Sequence, residues 1–150
     1  MRIAIGSDRA GSSYRGLVAR HLESLGHTVT DFGTMTDEPV DYPDYAALVA
    51  RDVLDGAADR GILVCGSGIG MAMTANRFTG IRAANCGTVQ MAELAREHND
   101  ANVLCLGERL LEETVIPGII DAFLDTEASE VDRHRRRVDK IDTAARSTTA

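Results

Sequence analysis

The 150-residue chain has no tryptophan and only three cysteines and three prolines. Three cysteines without a Cys-x-x-Cys pair suggest neither a disulfide framework nor a zinc knuckle. Basic residues are in the minority: 16 Lys and Arg against 23 Asp and Glu give a formal net charge of -7. A general nucleic-acid binder needs a basic surface to displace counterions, so no nucleic acid is expected as partner. No apolar run approaches the ~20 residues of a membrane span, so no membrane partner is expected either. The opening Met1-Arg2-Ile3-Ala4-Ile5-Gly6-Ser7-Asp8 is too short an apolar run for a signal peptide. A reducing cytoplasm is the expected location.

What is present is an ordinary globular composition, 44% hydrophobic and 26% charged. The length suits one domain, residues 1–146, with a core that needs no staples; residues 147–150 read as a frayed tail. Arg2–Gly6, His27–Phe32, Gly61–Cys65, Ile81–Asn85 and Val103–Leu106 read as strands, Gly61–Cys65 among them an unbroken apolar run. Between them, helical spacing recurs. Ser12 or Ser13 caps a helix carrying Leu17, Val18, Leu22 and Leu25 that ends at Gly26, and Asp44 starts one carrying Ala47, Leu48, Val49 and Val53. Further helices are expected over Ser67–Asn76, Val89–His98 and Leu110–Leu124, the last kinked or broken at Pro117. This alternation predicts an α/β fold: a single-domain, Rossmann-like three-layer αβα sandwich on a five-stranded parallel sheet. The segment after Asp125, with Arg133-His134-Arg135-Arg136-Arg137, adds a C-terminal helical extension.

The richest stretch is Ile62-Leu63-Val64-Cys65-Gly66-Ser67-Gly68-Ile69-Gly70-Met71. A buried strand runs into a thiol and then into glycines that let backbone N–H groups converge. An isolated Cys65 would read as a small buried hydrophobe; the glycine-rich loop tips it toward a base or a nucleophile. Cys86 and Cys105 lack such a loop and read as structural. The loop has no Walker lysine and follows the third strand, which disfavours a nucleotide and favours a small anionic ligand or intermediate. Asp8, ending the first strand, either caps the next helix or faces Cys65 across a topological switch point. Arg9 is a solvated charge or an anion contact. His98-Asn99-Asp100 offers an acid/base group, an amide and a carboxylate at a helix end. His21 and His27 read as surface residues. Arg133 and Arg137, four apart, share a helix face and either grip a phosphate or form a solvated basic patch.

At these residues the chain resembles the ribose-5-phosphate isomerase B family. The matching segments include Ile5-Gly6-Ser7-Asp8, Asp31-Phe32-Gly33-Thr34, Val40-Asp41-Tyr42-Pro43-Asp44-Tyr45, Cys65-Gly66-Ser67-Gly68-Ile69-Gly70-Met71, Arg96-Glu97-His98-Asn99-Asp100-Ala101-Asn102 and Arg133-His134 with Arg137-Val138. They span nearly the whole chain in family order. The resemblance implies an aldose–ketose isomerase of phosphorylated sugars that uses no metal or other cofactor. It implies Cys65 as the base acting through a cis-enediolate. Ser67 and the backbone N–H groups from Gly66 through Gly68 and Ile69 to Gly70 would hold the enediolate oxygens, with Asn99 assisting. His98 would help open the furanose ring, Asp8 would meet sugar hydroxyls, Tyr42 would line the site, and Arg133, Arg137 and Arg109 would bind the phosphate. A homodimer with interface sites, or a tetramer, is also implied.

A thiol is a poor base near neutral pH unless its site stabilises the thiolate, and converging N–H groups serve both that charge and the enediolate's. One departure concerns the sugar. The family's first-strand motif usually reads Asp-His-Ala-Gly, whereas this chain has Asp8-Arg9-Ala10-Gly11. Arginine keeps an anion contact but does not titrate near neutral pH. Gly87 and Thr88 also replace an aromatic residue or a His-Asp pair common in relatives. A four- or six-carbon phosphosugar is therefore an alternative to ribose 5-phosphate. A non-catalytic phosphosugar-binding protein and a thiol enzyme with a covalent intermediate are the rivals from other classes.

Overall fold

The computed structural model describes residues 1–146; the expected tail, 147–150, lies outside the described residues. Strands and helices alternate as β1 (Arg2–Ser7), α1 (Ser12–Ser24), β2 (Thr28–Asp31), α2 (Tyr42–Leu54), β3 (Arg60–Cys65), α3 (Ile69–Ala75), β4 (Ala83–Asn85), α4 (Val89–Asn99), β5 (Val103–Gly107), α5 (Ile116–Asp125) and α6 (Asp132–Ala144). Single turns of 3-10 helix at Arg9–Gly11 and Glu113–Val115 lead into α1 and α5.

Every strand pairing is parallel, and the order across the sheet is β2-β1-β3-β5-β4. From β1 the chain moves outward to β2, returns to β3 on the other side of β1, and continues toward the far edge. Connections from β1 and β3 therefore leave in opposite directions. The crevice at their C-terminal ends is where open α/β sheets take ligands.

Alternation along each strand divides the core between the two faces of the sheet. Ile62 and Val64 of β3 face one cluster with Val18 and Leu22 of α1, Ala92 and Ala95 of α4, and Ile119, Ile120 and Phe123 of α5. Leu63 and Cys65 face the other, with Ala46, Val49 and Ala50 of α2 and Met71 and Ala75 of α3. The result is the expected three-layer sandwich. Helix α6 packs outside it against α4, with His134 its buried residue.

The departures from expectation have local causes. Helix α2 starts at Tyr42 rather than Asp44, because Pro43 fits a first helical turn, whose N–H needs no partner. The same principle places Pro117 in the first turn of α5, so it neither kinks nor breaks a helix, and no helix runs from Leu110. Helix α3 starts at Ile69 rather than Ser67, because Gly68 adopts a left-handed conformation, φ 77°, that no helix can continue through. Leu25 and Leu48, expected on buried helix stripes, are exposed. In α2 the buried positions are the expected Val49 together with Ala46 and Ala50. His21 is half-buried rather than free at the surface, its Nε2 lying 2.7 Å from Asp121 Oδ1 of α5.

The N-terminal edge of the sheet is fastened at Asp59, just before β3. Its carboxylate accepts from the Arg2 backbone N–H at 2.7 Å and from Arg2 Nη2 at 2.8 Å. Those hydrogen bonds lower its pKa to about 2. A carboxylate with a depressed native pKa adds stability above its unfolded value, and loses it as pH falls through the native one. Asp59→Asn should therefore lower the urea midpoint modestly at pH 7, and the gap from wild type should close between about pH 4 and pH 2. A gap that persists at pH 2 would contradict this reading.

Candidate active site

The strand end at Cys65 delivers its thiol to the α2–α3 face of the sheet, 5% exposed. The left-handed turn at Gly68 swings that residue's N–H back to the sulfur, donating to Sγ at 3.1 Å. Any side chain at Gly68 would also collide with Asn85 Oδ1. Asn85 ends β4 and donates from Nδ2 to the Ser67 carbonyl at 3.2 Å, fixing the loop from the neighbouring strand. The Ile69 N–H donates to Ser67 Oγ at 3.3 Å. Of the loop amides expected to hold a substrate oxyanion, those of Gly68 and Ile69 thus have partners within the loop. Their hydrogen bonds orient the thiol and the hydroxyl.

Around this loop lies a crevice of about 330 Å³, bordered by Asp8, Tyr42, Cys65, Ser67, Gly70 and Arg109. Asp8 fills both roles weighed for it: Oδ1 accepts from the Gly11 N–H at 3.1 Å, capping the first 3-10 turn, while the residue faces Cys65 across the crevice. The Tyr42 ring lies flush over Gly70, where a Cβ would come within 2.6 Å of Cζ. Arg109 is tethered through its backbone N–H to the Gly66 carbonyl at 3.0 Å, and its guanidinium lies over Gly66. Arg9 borders an adjoining basin of about 430 Å³ with Asp8, Pro39, Val40 and Arg109. Two guanidinium groups thus overlook the open side of the thiol crevice, which suits an anionic ligand.

His98, Asn99, Arg133 and Arg137 are elsewhere. Helix α4 begins beyond the C-terminal end of β4 and runs back to the start of β5, so its last residues reach the opposite edge of the sheet. β3 alone separates the two edges by roughly 16 Å at about 3.3 Å per residue. There, exposed His98 borders a separate cavity of about 340 Å³ with Glu97, Ser129, Glu130, His134 and Asp139. Arg133 and Arg137 stand exposed on α6, four residues apart, and neither lines this second cavity. One chain does not bring these four residues to Cys65.

The second edge is nonetheless built. Asp100, which follows Asn99, has φ 46° and ψ 46°, a left-handed conformation uncommon for a residue with a side chain. Two arginines hold it: Arg96 Nη1 at 2.7 Å and Arg82 Nη2 at 3.1 Å from its carboxylate oxygens. Arg82 Nε also donates to the Asp100 carbonyl at 2.8 Å, and Arg96 Nη1 to the Ala101 carbonyl at 2.6 Å. This clamp ends α4 abruptly and presents His98 and Asn99 on its last turn.

The three thiols differ in setting. Burial pushes the Cys86 thiol up to about 11 and the Cys105 thiol well above its usual range, so both stay protonated at neutral pH. Sequence reasoning missed Asn85, the clamp on Asp100 and the burial of His134. Asp100 was noticed only as a carboxylate beside His98, although Arg96 stands four residues before it, and His134 stands four residues before Val138 and seven before Ile141, on one helical stripe.

Fold and site together define a doubly wound α/β protein with a thiol and flanking cations at its switch-point crevice. The chain belongs to the Ribose/Galactose Isomerase family, whose pattern it matches over residues 3–141. It is 42% identical over 140 residues to ribose-5-phosphate isomerase B of Escherichia coli (strain K12), covering 93% of each. The solved structure of ribose-5-phosphate isomerase B from Clostridium thermocellum matches with a TM-score of 0.94 and 44% identity, over 97% of this chain and 98% of that one. The Mycoplasma genitalium ribose-5-phosphate isomerase B, solved with bound ribulose-5-phosphate, matches with a TM-score of 0.91 and 39% identity, over 98% and 97%.

The contrast among the thiols is testable directly. Brief iodoacetamide treatment of the folded protein at pH 7.5, read by peptide mass mapping, should alkylate Cys65 and spare Cys86 and Cys105. Equal labelling of all three would contradict the placement of Cys65 at the crevice.

Proposed function

We propose that the chain is an aldose–ketose isomerase acting on ribose 5-phosphate and ribulose 5-phosphate, with Cys65 as the base. The observation that carries this reading is Cys65 Sγ, held by the Gly68 N–H at the crevice between β1 and β3. Family membership and the relative solved with ribulose-5-phosphate supply the substrate class.

In the forward direction the Cys65 thiolate removes the proton from C2 of the open-chain aldose. The freed electron pair forms the C1–C2 double bond, and the carbonyl electrons move onto O1. The resulting cis-enediolate accepts a proton at C1 from the Cys65 thiol, while the O2 proton passes to O1, leaving the ketose carbonyl at C2. Ser67 borders the same crevice as the sulfur and supplies a hydroxyl to the enediolate oxygens, together with the Gly66 and Gly70 amides. Asp8 orients the sugar hydroxyls, and the Tyr42 ring over Gly70 walls the crevice on that side. Binding energy from the remote phosphate orients a flexible substrate and so contributes to the barrier at the carbon.

His98 for ring opening, Asn99 at the enediolate, and Arg133 and Arg137 on the phosphate lie on the far edge of the same chain. A homodimer resolves this separation: a second copy presents its far edge to the thiol crevice, so each site takes residues from both chains. Exposed Ile69, Met73 and Tyr42 beside the loop provide apolar surface for such a contact. A soluble sugar-phosphate enzyme of this kind works in the cytoplasm; among the described residues no helix is long and apolar enough to cross a membrane. Arg9 at the open basin and the Gly87-Thr88 loop are the departures that bear on sugar length, and a screen of four-, five- and six-carbon phosphosugars ranks the substrates.

Cys65→Ala should lower kcat for ribose 5-phosphate isomerisation by about 10²–10⁴-fold, the usual worth of a positioned acid/base group. In deuterium oxide, wild type should incorporate solvent deuterium beside the carbonyl. Near wild-type turnover by Cys65→Ala with any phosphosugar would overturn the mechanism.

A further inference from the structure

Helix α6 is exposed along most of its length, yet His134 on it is 8% exposed. Its ring lies against His98 of α4, centroids 4.4 Å apart and planes inclined by 42°. On its other side, Nε2 is the acceptor for the Arg133 Nε–H at 3.4 Å. A guanidinium has no acceptor, so this contact requires a lone pair on Nε2 and places the single proton of a neutral ring on Nδ1. The Nδ1 atom is buried without a protein partner. A doubly protonated ring would set N–H against N–H at Arg133.

We propose that His134 is a positioning residue whose neutral imidazole holds the His98 ring and the Arg133 guanidinium in one fixed relation. The acid/base group and the anion contact are then presented to the substrate as a unit. The inference rests on the reading that His98 and Arg133 serve the isomerase site, and it adds the group that registers one against the other.

The surroundings favour the neutral ring. Burial comes first, followed by His98 from α4 and by Arg133 and Arg137 on its own helix; together they push the His134 pKa below the usual histidine value. Glu97 of α4 opposes them. Asp100, Glu130, Arg135 and Asp139 border the same cavity.

Two substitutions separate the two contacts. His134→Phe keeps a ring against His98 and removes the acceptor for Arg133. His134→Gln keeps an acceptor and removes the ring. In full-length protein, His134→Phe should raise KM for ribose 5-phosphate and weaken inhibition by inorganic phosphate, each about three- to tenfold, with a smaller effect on kcat. His134→Gln should mainly lower kcat and leave phosphate inhibition near wild type. With wild type active, equal kinetics in all three proteins, or the same loss in both variants, would overturn the proposal. An inactive wild type would instead refute the isomerase reading. Long-range proton–nitrogen NMR on ¹⁵N-histidine-labelled wild type needs neither variant nor turnover. It should find His134 neutral with its proton on Nδ1 at pH 7.5, and an Nε2–H tautomer or an imidazolium at that pH would overturn the proposal.

Discussion

The turn at Gly68 is the constraint on which the thiol crevice depends. A parallel sheet buries β3 on both faces, so its last residue cannot reach solvent except where the chain leaves the sheet. The left-handed residue makes the exit abrupt and spends its N–H on the Cys65 sulfur at 3.1 Å. The same bend brings Ser67 beside Asn85 and starts α3 at Ile69, with Gly70 close enough for the Tyr42 ring to lie over it. One backbone conformation therefore aims the thiol, sets the hydroxyl and admits the aromatic wall. A substitution at Gly68 would disturb all three at once.

The opposite edge obeys a different constraint. There Asp100 carries backbone strain that a side chain normally avoids, and the Arg96 and Arg82 bonds offset it. Strain of this kind persists only where surrounding contacts over-determine the conformation. What it secures is the position of His98 and Asn99, and His134 of α6 touches both His98 and Arg133. On the proposed isomerase reading the two ends of the sheet are half-sites of one chain, a layout suited to catalysis across a two-fold interface.

Much of this was legible in the residue order. The inner strands β1, β3 and β5 were legible because a doubly covered strand leaves a nearly unbroken apolar signature, the edge strands β2 and β4 followed from the alternation with helices, and the thiol-glycine loop stood out for its composition. Boundaries slipped where a single residue outweighed periodicity, as at Pro43, Pro117 and Gly68. The double role of Asp8 was readable as two alternatives, because capping and facing the crevice use different parts of the residue. The Arg96–Asp100 pair has the i,i+4 spacing of a helix and could have been read, whereas the Arg82 contact to Asp100 and the Asn85 contact to the Ser67 carbonyl join segments that no spacing links. The separation of His98 from Cys65 follows from strand direction, which a list of matching motifs does not express.

The central claim is that Cys65 of one chain works with His98 of another. Complementation between two inactive variants, Cys65→Ala and His98→Ala, tests it most directly. Unfolded together and refolded at equal ratio, they form mixed dimers in half of the assemblies by random pairing. Each mixed dimer restores one site with both residues intact, so the mixture should recover about a quarter of wild-type isomerase activity by the symmetry of a closed dimer. Mixed dimers that form, as native mass spectrometry would detect, and yet stay inactive would contradict the account.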